Sequence, residues 1–324
     1  MSGERVAVLA GGRSPEREVS LRSGHRVAAA LRARGHEALL LDPAEAPLVE
    51  TLSAATVSAC FVALHGKEGE DGTVQRLLEL LELPYTGSAP LACEIAFDKV
   101  LCKAALAEAG VPTPPWAVVE AAALRDLGAG ALLHRLAERV GLPLVVKPSR
   151  AGSAMGLTFV DREADLPHAV MGALSFSDAA IIERRVAGVE VAASMLGTPR
   201  DVLPLVGIFP KSGVFDYAAR YTPGATEYQT PAHLDDEAAE RVRSAAARAF
   251  EALRQRDVSR VDILVDTDGR PWVIDVNVCP GMTDTSLLPM AADAAGLPFP
   301  ELCERILGLA LERRTPPIGS STRS

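Results

Sequence analysis

The chain of 324 residues is long enough for about two or three domains, and 48% hydrophobic with 23% charged residues is typical of a soluble globular protein. Its formal charge of -9 is opposite to the basic surface that nucleic-acid binding requires, so no nucleic-acid partner is expected. No uninterrupted apolar stretch reaches the roughly 18 residues that span a bilayer, so we expect no membrane insertion.

The N-terminus and the cysteines both indicate a cytoplasmic protein. The apolar run before Gly11 and Gly12 is too short for the core of a signal peptide. The five cysteines are widely scattered and form no C-x-x-C pair, which predicts neither a disulfide framework nor a zinc site. We expect buried, reduced thiols. Because only 4% of the residues are aromatic, the core is expected to be aliphatic.

Strands and helices are predicted to alternate in the first part of the chain. Apolar runs predict strands at residues 5–10, 37–41 and 59–64, and helical spacing predicts helices at about 20–34 and 74–81. This alternation indicates right-handed βαβ units and a parallel sheet. Ligands bind such sheets beyond the carboxyl ends of the strands, which is where the loops 11–16 and 65–71 fall.

The rest of the chain has a different pattern, typical of α+β structure. The predicted elements are a helix at about 97–109, a Pro-rich junction at 111–116, a hairpin within 142–160, strands at 180–182 and 190–196, and a helix at about 235–254. Two strands and a helix at about 299–311 follow. Residues 211–231 have no sustained period and predict a long functional loop. The tail 313–324 is expected to be disordered.

Residues 259–282 predict a hairpin that sets two carboxylates face to face. An Asp-Gly pair is a strong signal for a two-residue turn. Counting outward from this turn places Asp262 opposite Asp275 and Arg260 opposite Asn277, all four on one face. Like charges directly opposite each other are destabilising, so the pattern favours a cation between them. Mg²⁺ is such a cation, since it binds one or two carboxylates together with substrate phosphates.

The alternative is that this face of the hairpin is simply solvated and its acids are ordinary surface residues. The loop that follows favours a site. Gly281 allows backbone N–H groups to approach an anion, and Thr283, Thr285 and Ser286 add hydroxyl donors.

Lys147 ends a predicted strand and precedes the Gly-rich turn 152–156. Backbone N–H groups of such a turn and a lysine ammonium bind phosphate. The spacing matches neither a P-loop nor a dinucleotide-binding motif, and an ordinary Gly-rich hairpin remains the alternative. A further lysine, Lys99, and the cation ligands of the hairpin support a phosphate site.

The two N-terminal loops carry further polar candidates. Glu16 follows the first strand, and His65 with the segment 70–72 follows the third. Helix capping by Asp71 and Thr73 needs no function, and a lone histidine at a strand end is often structural. The residues by themselves leave both interpretations open.

Several motifs stand in the order seen in D-alanine–D-alanine ligases, a branch of the ATP-grasp enzymes, which the chain closely resembles over roughly residues 6–311. They occupy residues 11–24, 65–75, 84–88, 98–99, 146–156, 215–221, 260–262 and 275–289. The resemblance implies α/β and α+β architecture: an ATP-grasp fold with an N-terminal preATP-grasp parallel-sheet domain. It implies a preATP-grasp domain at 1–88, a central domain at 89–187, a C-terminal domain at 188–312 and a tail at 313–324.

The resemblance also assigns roles to residues. For ATP it implies Lys99, Lys147, Glu183, Arg184, Val186, Glu190 and Arg220, and for two Mg²⁺ (or Mn²⁺) it implies Asp262, Asp275 and Asn277. Glu16, Ser153 and Tyr221 match a hydrogen-bonded trio that holds the first D-alanine and latches the mobile loop 211–231. Val19, His65, Arg260, Gly281, Ser286 and Leu287 match the pocket of the reacting carboxylate and the second D-alanine.

The implied activity is ATP-dependent ligation of two D-alanines through a D-alanyl phosphate, with release of ADP and phosphate, for peptidoglycan precursor synthesis. The implied partners are ATP and D-alanine, and the implied assembly is a homodimer through the N-terminal domain. One alternative is a related ligase that joins other D-amino acids in secondary metabolism. Another is a regulatory nucleotide-binding protein that has lost catalysis, against which the retained Glu16, Arg260 and Asp262 argue.

Three residues depart from the pattern of the family. Ala154 stands where a second serine is usual, Arg220 where a lysine is usual, and Asp275 where a glutamate is usual. No charge is lost, and we expect the planar guanidinium and the shorter carboxylate to affect the rate and the nucleotide affinity more than the reaction class. Tyr221 goes with dipeptide formation in this family, so an amine nucleophile is expected rather than a hydroxy acid.

Overall fold

The computed structural model describes residues 3–199, 201–213, 215, 219–220, 222 and 224–313. The strands of this part of the chain are β1 (Arg5–Leu9), β2 (Glu37–Leu41), β3 (Ala59–Val62), β4 (Trp116–Glu120), β5 (Leu144–Pro148), β6 (Thr158–Val160), β7 (Ala179–Arg184), β8 (Val189–Gly197), β9 (Val206–Pro210), β10 (Thr226–Gln229), β11 (Asp257–Val265) and β12 (Pro271–Asn277).

The helices of the described chain are also given in chain order. They are α1 (Arg17–Ala33), α2 (Leu48–Ala55), α3 (Thr73–Leu80), α4 (Pro90–Phe97), α5 (Lys99–Glu108), α6 (Ala121–Leu127), α7 (Ala129–Val140), a 3₁₀ turn (Glu163–Asp165), α8 (Leu166–Leu174), α9 (Asp236–Ala252), α10 (Leu287–Ala294) and α11 (Phe299–Glu312).

The N-terminal sheet is parallel, as the alternation of strands and helices predicts. β1 lies between β2 and β3, with Val6 opposite both Ala38 and Ala59. A parallel strand with partners on both sides needs an apolar sequence, and residues 6–9 of β1 are fully buried. The loops that carry Glu16 and His65 leave the same edge of this sheet, because β1 and β3 are parallel.

The two remaining sheets of the described chain are antiparallel. Their strand orders are β4-β7-β5-β6 and β10-β9-β8-β11-β12. The predicted hairpin within 142–160 is present as β5 and β6, with Val145 opposite Phe159. These sheets confirm the α/β and α+β fold class, while the positions of the domain boundaries stay predictions.

The structure corrects the predicted helix at 97–109. α4 ends at Phe97 and α5 begins at Lys99, because Asp98 adopts an extended conformation and caps α5. Its Oδ1 accepts from Val100 N at 3.0 Å. The cap places Lys99 at the first position of α5.

The prediction of one long loop at 211–231 is also wrong in part. Thr226–Gln229 form β10, which pairs with β9 at the edge of the last sheet. A strand of four residues at an edge is too short to give a clear period in the sequence. The sequence analysis also did not predict the strands β4 and β9 or the helices α2, α4, α6, α7, α8 and α10.

The β11–β12 hairpin has the predicted register at Arg260 and Asp262, although both its loop and its strand pairing differ from the prediction. Val265 pairs with Pro271, so the loop has five residues rather than the predicted two. This loop shifts the register by one residue. A bulge between Asp262 and Ile263 shifts it back, so Asp262 faces Asp275 and Arg260 faces Asn277 as predicted.

The interior is aliphatic, as the composition predicts. The largest fully buried side chains are Leu, Ile and Met. All five cysteines are buried and free. Among the described residues, no helix combines the length and the apolar character needed to cross a bilayer.

Candidate functional site

Two cavities collect most of the predicted site residues. The small cavity has a volume of about 100 Å³ and the large cavity about 660 Å³. Predicted residues that line the small cavity are Glu16, Val19, His65, Ser153, Arg260, Asn277, Gly281, Ser286 and Leu287. Predicted residues that line the large cavity are Lys147, Glu183, Arg184, Val186 and Glu190.

Three charged side chains lie where the cavities meet. Lys99, Arg220 and Asp275 line both, together with Ala151 and Phe215. Lys99 Nζ is 3.4 Å from Asp275 Oδ1, and the Arg220 guanidinium lies 4.3 Å from the centroid of the Phe215 ring. Lys99 and Arg220 place two positive charges at this junction. They would stabilise an anionic group while it is transferred from a ligand in one cavity to a ligand in the other.

Arg260 and Asp262 form a buried ion pair on β11. Arg260 Nε donates to Asp262 Oδ1 at 2.7 Å, and Nη2 donates to Oδ2 at 2.9 Å. Asp262 is 1% exposed and does not line either cavity, whereas Arg260 lines the small one. This bidentate contact fixes the plane of the guanidinium that faces the small cavity.

The predicted metal ligands offer only oxygen atoms. Burial by itself would raise the pKa of Asp275, but Lys99 and Lys147 outweigh it and lower the pKa, so the carboxylate is ionised. Asn277 Oδ1 already accepts one backbone hydrogen bond at 2.8 Å, and Asp262 is held by Arg260. Carboxylate and amide oxygens are the donors that Mg²⁺ takes, so this set fits a divalent cation by its chemistry.

Glu16 lines the small cavity and has a buried oxygen without a partner among the described residues. It is 3% exposed, and within the described part of the chain its Oε1 has no hydrogen-bond partner. Burial and then the charge of Glu70 raise the pKa of Glu16, against hydrogen bonds with Ser14 and Ser153 that lower it. A buried carboxylate with one oxygen that lacks a partner is suited to bind a cationic group such as an ammonium.

His65 is held beside Glu16 by the face of α1. Its Nε2 is 3.0 Å from Ser23 Oγ, and its Nδ1 is 3.8 Å from Glu70 Oε1. Ser23 Oγ also accepts from Met282 N at 3.2 Å. Ser23 was not predicted as a site residue, although it lies one helical turn after Val19 on the same face of α1.

The loop after β12 is tied to α1 by Arg26, another residue that the sequence analysis missed. Arg26 Nη1 donates to Met282 O at 3.0 Å and to Thr283 O at 3.1 Å. Within the loop, Thr283 N donates to Ser286 Oγ at 3.0 Å. These bonds hold Gly281 and Ser286 at the wall of the small cavity.

The turn after β5 adopts a strained backbone. Ser153 and Ala154 have φ values of 54° and 55°, in the left-handed region that residues other than glycine rarely adopt. Such strain often marks a ligand-binding turn, and a run of unusual backbone conformations can point several N–H groups at an anion. Ser153 lines the small cavity and Ala154 the large one.

Glu183 is shared by two lysines at the back of the large cavity. Its Oε2 is 2.6 Å from Lys147 Nζ and its Oε1 is 2.8 Å from Lys103 Nζ. Lys147 also donates to Ile274 O at 3.3 Å. The sequence analysis predicted Lys147 and Glu183 but missed Lys103, which lies one helical turn after Lys99.

The far part of the large cavity combines an apolar wall with one acidic group. Phe159, Phe209 and Leu264 line it together with Val186, which suits a planar aromatic ring. Burial raises the pKa of Glu190 to about 7, and within the described chain its Oε1 has no partner. This oxygen can accept a hydrogen bond from a bound hydroxyl group. Tyr221 lies outside the described residues.

Comparisons with known proteins show which family this chain and its fold resemble. The family models described as D-ala D-ala ligase C-terminus and N-terminus match residues 105–308 and 44–88. A D-alanine–D-alanine ligase of Moorella thermoacetica is 44% identical over 312 residues, 95% of this chain and 99% of the relative. The D-alanine–D-alanine ligase of Pelotomaculum thermopropionicum is 41% identical over 309 residues, which are 95% of this chain and 97% of the relative. The structure of the Bacillus anthracis ligase complexed with ATP, 32% identical, has a TM-score of 0.82 and covers 96% of this chain and 99% of that one.

Proposed function

Because the chain belongs to the D-alanine–D-alanine ligase family, we propose that it joins two D-alanine molecules to D-alanyl-D-alanine as ATP is converted to ADP and phosphate. The predicted family and the ATP-grasp architecture are confirmed. The observation that carries the proposal is the junction of the two cavities at Lys99, Arg220 and Asp275. A phosphoryl group from a nucleotide in the large cavity has to pass through this junction to reach a carboxylate in the small one.

ATP occupies the large cavity in this proposal. The adenine lies against the apolar wall near Arg184 and Val186, and Glu190 accepts from a ribose hydroxyl. Lys147 in the large cavity and Lys99 and Arg220 at the junction bind the phosphates, which the positive charge of these three side chains supports. Glu183 takes part in nucleotide binding from the back of the cavity, where it is paired with Lys147.

Asp262, Asp275 and Asn277 would hold one or two Mg²⁺ ions, or Mn²⁺. When bound, the cation neutralises charge on the polyphosphate and polarises the transferred phosphoryl group. The oxygen-only donor set and the open position of Asp275 at the junction support this proposal.

The first D-alanine lies in the small cavity with its ammonium group at the unpartnered Oε1 of Glu16. Ser153 and Tyr221 complete the proposed trio that holds it. The carboxylate then points to the junction and attacks the γ-phosphorus, which gives D-alanyl phosphate and ADP. Phe215 and Arg220, from the segment 211–231, line the junction. In this proposal they keep water from the acyl phosphate, which water would hydrolyse.

The second D-alanine binds beside His65, Val19, Ser286 and Leu287. Its amine attacks the acyl carbon, and phosphate leaves from the tetrahedral intermediate. The Arg260 guanidinium, held in plane by Asp262, and the Gly281 N–H stabilise the oxyanion.

Phosphate release by the purified protein tests this proposal. We expect ADP formation that requires D-alanine, ATP and Mg²⁺, and chromatography should identify D-alanyl-D-alanine as the product. L-alanine, D-serine and D-lactate serve as competing substrates. Absence of D-alanine-dependent ADP formation would sink the proposal, and preference for another acceptor would select a ligase for other D-amino acids.

We also propose that the enzyme works in the cytoplasm as a homodimer and supplies a peptidoglycan precursor. The five buried free cysteines fit a reducing compartment. Light scattering behind size-exclusion chromatography should give twice the mass of 34.1 kDa, and a monomer at micromolar concentration would contradict the assembly. Limited proteolysis near residues 88 and 187 tests the proposed domain boundaries.

A further inference from the structure

Lys103 is a buried lysine with no role in the proposed reaction. It lies on α5 and is 4% exposed, and it does not line either cavity. Its Nζ is 2.8 Å from Glu183 Oε1 and donates to Thr113 Oγ1 at 2.5 Å. A lysine is rarely buried unless it is paired, and burial lowers the pKa of Lys103 in spite of the pairing with Glu183.

Glu183 is the shared partner of this lysine and of Lys147. One carboxylate oxygen faces each ammonium group, and Glu183 itself is 3% exposed. Burial alone would raise the pKa of Glu183, but the two ion pairs outweigh it and hold the pKa below its usual range. Two positive charges therefore share one negative charge, which leaves this cluster with an excess of one positive charge.

A ligand in the large cavity can contact the positive charge of this cluster only at Lys147. Of the three groups, Lys147 and Glu183 line the large cavity, whereas Lys103 lies behind them. Without Lys103, Glu183 would neutralise Lys147 alone, and the cluster would have no net charge. In a buried environment the loss of one charge a few ångströms away weakens the attraction for an anion considerably.

A second set of contacts anchors the cluster to the strand of the junction. Thr113 Oγ1 accepts the hydrogen bond from Lys103 Nζ and in turn donates to Val273 O at 2.8 Å. Lys147 Nζ donates to Ile274 O at 3.3 Å. Both lysines thus reach β12 just before Asp275. The cluster is held in place relative to the cavity junction.

We propose that Lys103 is a positioning residue for nucleotide binding, which shares the charge of Glu183 and so leaves Lys147 with a net positive charge for the phosphates of ATP. The inference rests on the proposed binding of ATP in the large cavity. It does not depend on which acceptor the enzyme uses.

Nucleotide binding by the full chain without D-alanine tests this inference. Titration calorimetry with ATP, ADP and adenosine is carried out on the wild type and on Lys103→Met. We expect the affinity for ATP to fall on the order of tenfold or more, that for ADP to fall less, and that for adenosine to change less than about threefold. A loss that is equal for ATP and adenosine would overturn the proposal, since it would indicate a role in shape alone.

Two further variants separate charge from packing. The double variant Lys103→Met/Glu183→Gln regains the excess positive charge, so its ratio of ATP to adenosine affinity should be close to that of the wild type and higher than that of Lys103→Met. Lys103→Arg keeps the charge and should retain the wild-type ratio of ATP to adenosine affinity, even if both are weaker. If the double variant or Lys103→Arg loses the wild-type ratio of ATP to adenosine affinity, the proposal is wrong.

This experiment also distinguishes the inference from the proposed function. A wild type that binds ATP but forms no D-alanine-dependent ADP would contradict the ligase function and leave the role of Lys103 intact. If Lys103→Met does not fold, the ratios of Lys103→Arg and the double variant still decide the question.

Discussion

Asp262 and Asp275 lie directly opposite each other on β11 and β12, yet each carboxylate is paired with a different cation. Arg260 holds Asp262 through two hydrogen bonds, and Lys99 approaches Asp275 to 3.4 Å. The repulsion between two facing carboxylates is therefore offset by the chain itself. The same arrangement gives Asp262 two roles, as a proposed metal ligand and as the group that orients Arg260.

Replacement of Asp262 by Asn should remove both roles. We expect kcat to fall on the order of 10²-fold or more, because the oxyanion loses an oriented guanidinium and the metal loses a carboxylate. Steady-state kinetics over a range of Mg²⁺ concentrations measures the effect. Asp268→Asn at the exposed tip of the same hairpin is the control. Turnover and Mg²⁺ dependence close to wild type in Asp262→Asn would contradict both roles.

Gly66 should not tolerate a side chain, because it makes room for Glu16. A Cβ atom at Gly66 would lie 2.5 Å from Glu16 Oε2, and its φ is +72°. We expect Gly66→Ala to displace the carboxylate and to raise the KM for D-alanine at least tenfold. Gly296→Ala is a matched control, since Gly296 has a φ of +74° but no atom within 4 Å of its added Cβ. Equal effects of both substitutions would mean that backbone strain, and not Glu16, is responsible.

Glu190 should make the stability of the protein without nucleotide fall as the pH rises. Burial raises the pKa of Glu190 from 4.5 to about 7 in the folded protein. Between these values the folded state holds a proton that the unfolded chain releases, so the free energy of unfolding decreases with rising pH. This contribution is fully present below pH 4.5 and is lost as the pH passes 7.

Glu190→Gln removes the titrating group. The variant should therefore gain stability relative to the wild type between pH 5 and pH 8, by an amount on the order of 1–3 kcal/mol. Melting curves at both pH values measure this, and the exposed Glu251→Gln on α9 should show no such difference. A stability difference that is the same at pH 5 and pH 8 would refute the prediction.

Asp257 should stabilise the contact between the C-terminal helix and the beginning of β11. It is 3% exposed with a φ of 62°, and its carboxylate binds Gly87 N at 2.8 Å and Arg313 Nη2 at 2.6 Å. Asp257→Asn leaves the guanidinium without its counter-charge, so we expect Tm to fall by roughly 5 °C or more. Differential scanning fluorimetry measures the shift, with the exposed Asp293→Asn as the control. An unchanged Tm would contradict the role of this ion pair.

Local patterns predicted much of the fold. β2 is found at the predicted residues 37–41, and the parallel arrangement of the first sheet follows from the alternation of strands and helices. The register of the site hairpin was also predicted, but for an incomplete reason, since a five-residue loop and a bulge cancel each other. A bulge depends on contacts across the strands, which no local signal reveals.

Motif order and apolar periodicity are properties of the chain alone, so they were enough to predict the family, the fold class and candidate residues for the site. The partners of each charge became visible only in the folded chain. It showed that Arg260 holds Asp262, that Lys103 shares Glu183, and that Arg26 and Ser23 support the loop after β12. Arg260 and Asp262 are neighbours on one strand, but the other pairings join residues distant in the chain, and burial makes them strong. They arise only when the sheets pack together and remove water from between the charges.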